Sequence, residues 1–535
     1  VNAQTPPFDL APALVVFPGG RSGVADSGEP RPVRAPEARD LFEAGPVLVA
    51  HAALTARRLG LASPPRSPRL FDVLELFAFV RPARFCAPSA IGLAKALGLP
   101  TPRDAPSQAG ALRAAAAILL AELAAAPTPS REEALAQAEA MGRAGWPWGA
   151  PVIGALRSAP LGRPWRGDGL DVWTRIVEWE DQAPPGEAGS RSIDPAAAAE
   201  RLALLLGRAG LSEPRPMQAD FAREAAFAFQ PRLREGEPMM MLAEAGTGVG
   251  KTLAYLAPAS LWAEANGPGV WISTYTRALQ RQIERESQAI YPDPAVRAVK
   301  AVVRKGRENY LCLLNFQDAA GAARMGGGDL VGMALAGRWA RTTRDGDMTG
   351  GDFPAWLPTL FTLSPQVQAG AANLVDRRGE CIHAGCAHYR ACFIEKAVRG
   401  SRQADIVIAN HALVLTQAAF DGARSARGQG EDVETTRLRR IVFDEGHHLF
   451  DAADSAFAAA LSGVEAAEMR RWIRGPEGRG RRGRGLETRL AEVLGDHEEA
   501  REALAAALRA AAALPGEGWS GRIAPGAGGV SPQGP

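Results

Sequence analysis

Lysine, cysteine and net charge are all scarce in this 535-residue chain. Only five lysines occur (Lys95, Lys251, Lys300, Lys305 and Lys396), and 61 basic residues nearly cancel 59 acidic ones to leave +2. That balance excludes a protein coated in positive charge, so any nucleic-acid contact has to come from a local groove. No run of about 20 uninterrupted apolar residues is present, which argues against a membrane-spanning helix. The most apolar stretch, residues 111–126, carries Arg113 and Glu122 and reads as a packed helix. The first residues lack the charged-then-apolar layout of a secretory signal. Five cysteines, four of them in one region, point to a reducing compartment, the cytoplasm, and to a metal site.

What is plentiful is ordinary. A hydrophobic fraction of 46% and a charged fraction of 22% rule out disorder throughout, a collagen-like fibre and a disulfide-stapled miniprotein. The length allows about three to five domains. Arg, Ala, Gly and Pro are abundant in the manner of a GC-rich coding bias, so an arginine carries little information here and a lysine more.

Residues 1–145 alternate strand-like runs (14–17 and 46–50) with helical ones (91–97 and 111–125). Residues 146–205 hold Pro, Gly and Trp with little periodicity and read as a linker. From about 206 a second α/β unit begins, with apolar runs of strand length at 239–243, 270–274, 299–303, 406–409 and 441–443. Strands alternating with helices predict a parallel sheet covered on both faces. That pattern breaks between 312 and 399, where the cysteines gather, and resumes over 400–455. Residues 456–535 read as helical and Arg-rich with a disordered Gly/Pro tail.

The strongest signal is Ala245-Gly246-Thr247-Gly248-Val249-Gly250-Lys251-Thr252. Its glycines let backbone N–H groups converge on phosphate oxygens, and the helix that follows adds its positive end. Lys251 is expected at the β- and γ-phosphates of ATP and the Thr252 hydroxyl on Mg²⁺. The strict pattern has glycine where this chain has Ala245. Arg440-Ile441-Val442-Phe443-Asp444-Glu445-Gly446-His447 supplies the matching acids, delivered by a buried strand to the edge where ligands bind in such folds. Asp444 is expected to hold Mg²⁺ through water, and Glu445 to orient and deprotonate the attacking water. Lys251, Asp444, Glu445 and His447 form the expected catalytic set.

Cys312, Cys381, Cys386 and Cys392 can converge on one metal centre. Their gaps are looser than the paired CxxC of structural zinc sites, and His383 or His388 could replace a cysteine. Spacing alone leaves zinc and an iron–sulfur cluster both open.

The segment 244–252 with Asp444-Glu445-Gly446-His447 resembles the superfamily 2 helicases, with Gly446 where a DEAH box has alanine. Arg215-Pro216-Met217-Gln218 is similar to the segment that contacts adenine in that class, which implies Gln218 in nucleotide binding. Residues 305–312 and 392–413 resemble the XPD/DinG helicases over roughly 210–455. The resemblance implies a RecA-like P-loop domain (206–311 and 400–455) with an inserted domain (312–399) whose four cysteines hold a [4Fe–4S] cluster. It implies an ATP-dependent DNA helicase of DNA repair or replication, acting on single-stranded or forked DNA with 5′ to 3′ translocation. Lys305, Arg307 and Tyr310 are candidates for DNA contact, and Asn410-His411 is read as shaping its loop.

Residues 47–51, 70–76 and 92–99 are similar to blocks of the DEDD-type 3′–5′ exonucleases, which implies a ribonuclease-H-like α/β domain over 1–145. The acids that hold two metal ions in such enzymes are missing: the first strand ends Val16-Phe17-Pro18-Gly19, and Ala52 and Ala56 replace Asn and Asp. The expectation is an inactive domain. At the other end no Gln-x-x-Gly-Arg-x-x-Arg segment occurs, so the second RecA-like domain and its arginine fingers are expected to be missing. Such a finger is worth about 10³–10⁵ in rate, or about 4–7 kcal/mol of barrier. The isolated chain is therefore expected to bind nucleotide better than it turns it over, and a non-enzymatic nucleotide- and DNA-binding fragment is the competing reading. Arg479, Arg481, Arg482 and Arg484 suit either DNA phosphates or a solvated loop.

Overall fold

The computed structural model describes residues 11–519 except 66–69, 164, 182–188, 212–214, 235–236, 247, 327–328, 361–373, 377–380, 427–437, 459–462, 476, 478–484, 496 and 517–518. Two compact units result, one from Val1–Glu178, Arg307–Phe393 and Gly463–Pro535, the other from Trp179–Gly306 and Ile394–Ser462.

The first unit is built on five short strands: β1 (Ala13–Val16), β2 (Ser22–Ala25), β3 (Arg31–Val33), β4 (Val47–Val49) and β5 (Leu70–Asp72). Their order is β3-β2-β1-β4-β5, antiparallel from β1 through β3 and parallel from β1 through β5. The Ala105–Ala124 helix packs on β1 and β2. It starts before the predicted 111 because Asp104 and Ser107 make a reciprocal cap with a proline in the first turn.

The expected division of this half of the chain differs from the observed one. Leu76, Phe77, Leu112 and Leu119 share one buried cluster with Phe316, Leu335, Trp339 and Trp356. The described residues of 312–393 thus share their core with the N-terminal segment. Arg338 of the Leu330–Thr342 helix ties the two together, its guanidinium 4.0 Å over the Phe79 ring and 2.7 Å from Gln137 Oε1. Nor is 146–205 a plain linker. Gly149–Arg157 is a helix, and the indole N–H groups beside it donate to Glu75 Oε2 (Trp146, 2.9 Å) and the Asp72 carbonyl (Trp148, 2.8 Å).

The second unit contains β6 (Val270–Thr274), β7 (Ala301–Val303), β8 (Ile406–Asn410) and β9 (Arg440–Phe443), in the order β7-β8-β6-β9 with every pair parallel. This mixed α/β arrangement with a parallel sheet fits a RecA-like helicase domain. Helices Pro195–Arg208, Pro216–Ala225 and Lys251–Asn266 pack against one another. Their apolar sides close over β6 and β8 through Leu202, Leu256, Trp262, Ile272 and Ile408. Two predicted strands change. Only the end of 299–303 joins the sheet, because Pro294–Lys300 is helical behind an Asp293 cap. Residues 239–243 pair with nothing in the sheet, and Met240 and Leu242 are 80% and 89% exposed. An apolar run signals burial but does not specify a ladder partner.

Candidate nucleotide-binding site

The glycine-rich turn joins residues 239–243 to the helix that starts at Lys251. Gly248 and Gly250 hold φ of 83° and 87°, a left-handed backbone that only glycine adopts without strain. Gly250 is also crowded: a Cβ there would lie 2.2 Å from Gln218 Nε2. Gln218 is buried, and its amide donates to the Gly250 carbonyl at 2.9 Å, while Arg215 donates to the Gly248 carbonyl at 2.9 Å. The Arg215–Gln218 segment therefore braces the loop from behind. Thr247 lies outside the described residues; Ala245, Gly246 and Val249 complete the turn.

The sheet brings the acids to the same place. β9 pairs with β6 up to Phe443, and the next amide, Asp444 N–H, donates to the Ser273 carbonyl at 2.8 Å. Lys251 Nζ stands 3.5 Å from Glu445 Oε1 and 3.1 Å from the Ala245 carbonyl it donates to. Glu445 adopts φ 56°, left-handed for a residue with a side chain, a conformation that costs about 1–3 kcal/mol and persists only where its surroundings hold it. Burial, then the neighbouring Glu445 charge, push the Asp444 carboxyl above the ordinary carboxylate range, and Lys251 opposes them. His447 Nδ1 lies 3.5 Å from Glu445 Oε2. Lys251, Asp444, Glu445 and His447 thus lie together at the acidic turn.

Three neighbours were not foreseen. Tyr255, one turn beyond Lys251, buries its hydroxyl beside Thr252 and Asp444 without a hydrogen bond of normal geometry. Glu286, on the Arg277–Ile290 helix, reaches Thr252 and Asp444, and burial raises its carboxyl. His411 is fully buried and its Nδ1 meets Ser273 Oγ at 2.7 Å. Only Tyr255 had a local signal, its i+4 spacing from Lys251 on one helix face.

The four cysteines lie in the other unit, and none of them is in a disulfide. Cys312 precedes the Leu313–Arg324 helix and accepts from backbone N–H groups of Leu314 and Asn315. His383 N–H donates to Cys381 Sγ at 3.3 Å, and His388 N–H to Cys386 Sγ at 3.4 Å. Cys312 and Cys381 each interact electrostatically with Cys386. Burial pushes the Cys312 thiol up to about 12 and raises that of Cys386. His388 Nε2 is taken by Gln317 Oε1 at 2.8 Å, which leaves that ring nitrogen engaged away from the thiols. Among the described residues no three His, Cys, Asp or Glu side chains stand close enough to grip a single metal ion. Among them, too, no helix is long and apolar enough to cross a membrane.

Of the residues expected to meet DNA, Tyr310 is buried in a bridge to Asp347 and Arg307 lies 3.4 Å from Asp376. Arg479, Arg481, Arg482 and Arg484 lie outside the described residues.

Residues 226–312, which include the glycine-rich loop, β6 and β7, match the DEAD/DEAH box helicase family. Over 252 residues the chain is 31% identical to the ATP-dependent DNA helicase YoaA of Escherichia coli, covering 46% of this chain and 36% of that protein. It is 31% identical over 283 residues to the ATP-dependent helicase DinG of Mycobacterium tuberculosis, 49% of this chain and 38% of that one. The 3'-5' exonuclease DinG of Bacillus subtilis is 28% identical over 258 residues, 47% of this chain and 24% of the relative. Two of these three relatives carry the name DinG. The chain covers little more than a third of the length of the first two relatives.

Proposed function

We propose that this chain is the ATP-binding portion of an ATP-dependent DNA helicase that moves along single-stranded DNA, 5′ to 3′, and opens forked duplexes in repair or replication. The observation that carries this is the 3.5 Å approach of Lys251 to Glu445, which unites a phosphate loop and an acidic turn far apart in sequence. With ATP bound, Lys251 would leave Glu445 for the β- and γ-phosphates; Thr252 and Asp444 are the residues that would hold Mg²⁺, which would neutralise phosphate charge there. Glu445 is then free to accept a proton from the water that attacks the γ-phosphorus, while ADP leaves on the opposite side. His447 orients Glu445. Gln218 braces the loop, with its remaining amide capacity available to adenine.

Cys312, Cys381, Cys386 and Cys392 would hold the [4Fe–4S] cluster. The fit rests on the backbone N–H groups aimed at the sulfurs of Cys312, Cys381 and Cys386, donors that favour a ligating thiolate over a thiol. Such a cluster would tie Cys312 covalently to the three cysteines of the 381–392 turns. The N-terminal sheet is read as an exonuclease-like fold without nuclease activity. Its β3-β2-β1-β4-β5 order suits that reading.

Two measurements on anaerobically purified protein test the proposal. Iron, sulfide and zinc analysis with a visible spectrum should give a brown protein with about four irons; a colourless protein with one zinc would remove the cluster. ATP binding and hydrolysis, with and without single-stranded DNA, should depend on Lys251. Binding that survives Lys251→Ala would show the site to be misplaced.

A further inference from the structure

The acidic turn that carries Glu445 is gripped from two directions by the end of one strand, β6. On the inner side, Ser273 accepts the Asp444 N–H through its carbonyl and meets His411 Nδ1 through its hydroxyl. The His411 ring is buried against the backbone of Asp444 and Glu445, with its Nε2 in no hydrogen bond of normal geometry. On the outer side, Tyr275 stacks on His448, ring centroids 3.8 Å apart and planes inclined by 14°. His448 closes the short Gly446–His448 turn and donates its backbone N–H to the Glu445 carbonyl at 3.0 Å. Its ring lies 4.1 Å from that of His447, which faces Glu445 Oε2.

Tyr275 has a second side. It is 48% exposed, directly beyond the carboxyl end of a parallel strand, where open α/β sheets bind their ligands. An exposed aromatic ring there can take a nucleobase by stacking, which needs no particular sequence. The same ring is therefore in contact with the turn that carries the water-activating acid and open to single-stranded DNA.

We propose that Tyr275 and His448 form a coupling pair. A base stacked on the free face of Tyr275 fixes the Tyr275–His448 stack, and the fixed stack holds Glu445 in its left-handed, water-facing conformation. Tyr275 and His448 are positioning residues: neither touches ATP, and both act through the backbone of the acidic turn. This inference rests on the helicase reading above and adds to it the element through which DNA raises ATP turnover.

The test measures ATP turnover by the whole chain with and without poly(dT), alongside the nucleotide dissociation constant, for four variants. Tyr275→Ala and His448→Ala should each lower the stimulation by poly(dT) about fivefold or more, leaving nucleotide affinity and DNA-free turnover within about twofold. Tyr275→Phe should retain the stimulation, and the Tyr275→Ala/His448→Ala double variant should lose no more than either single one. Stimulation retained by both alanine variants, or additive losses, would overturn the coupling pair while leaving the helicase reading intact. A wild-type chain that binds neither ATP nor poly(dT) would instead fail the helicase reading and take the coupling pair with it.

Discussion

Replacing Glu445 by glutamine should separate nucleotide binding from turnover, and the structure gives the size of each effect. Lys251 and Glu445 stand 3.5 Å apart with side chains 27% and 33% exposed. Coulomb's law at an effective dielectric of about 20 gives roughly 5 kcal/mol for such a pair. Solvent screening and side-chain entropy reduce exposed pairs to about 0–1 kcal/mol net. ATP has to break this pair to recruit Lys251, so removing the glutamate charge should leave ATP affinity unchanged or tighten it by up to about fivefold. Turnover behaves oppositely, since a positioned general base contributes about 10²–10⁴ in rate, or about 3–5 kcal/mol of barrier. Equilibrium titration with a fluorescent ATP analogue and single-turnover phosphate release read the two effects on one sample. A Glu445→Gln variant that binds ATP more than tenfold more weakly, or hydrolyses it at the wild-type rate, would refute the assigned roles.

Three further outcomes follow from packing and charge. Gln218→Ala removes the 2.9 Å bond to the Gly250 carbonyl, worth about 1 kcal/mol, and with it the proposed adenine contact, so GTP binding should weaken by about fivefold and ATP binding by more; unchanged binding of both would remove Gln218 from the site. Gly23→Ala places a Cβ 2.3 Å from the Ala105 backbone carbon, so urea unfolding should show a loss of about 1–3 kcal/mol, and an unchanged midpoint would contradict the close approach of β2 to that helix. Glu75 is raised well above its ordinary value by burial and by the Asp72 charge, and Asp72 is itself raised by burial. A folded-state carboxyl raised in this way binds a proton that the unfolded chain releases, so stability is greatest at low pH and falls as pH rises above the unfolded value of about 4.3 toward and through the raised one. Glu75→Gln keeps an acceptor for the Trp146 indole and should flatten that decline in a thermal-unfolding series from acid to neutral pH; an unaltered slope would exclude Glu75 as its source.

Local chemistry was legible wherever one segment carried all of it. The glycine-rich turn announces Lys251 and Thr252 because phosphate binding needs a glycine backbone and a lysine at fixed offsets. β6 and β8 were visible because a strand buried on both faces is a continuous apolar run. β9, expected to be buried, is a half-exposed edge strand with Ile441 open to solvent. The Gly149–Arg157 helix was not, since its tryptophans are held by Glu75 and the Asp72 carbonyl, which no periodicity records. Residues 239–243 show the converse error, an apolar run without a strand partner.

Amino-acid order alone set the chemistry of the nucleotide site, strands β6, β8 and β9 of the second unit, and the inventory of thiols. Each depends on residue types at short, fixed spacings. Tertiary structure alone decided that residues 312–393 share their core with the N-terminal segment, that Gln218 is turned onto Gly250, and that Ser273, Tyr275, His411 and His448 surround the acidic turn. Those contacts join residues tens to hundreds of positions apart, and close packing of the folded chain, not local propensity, selects which of them form.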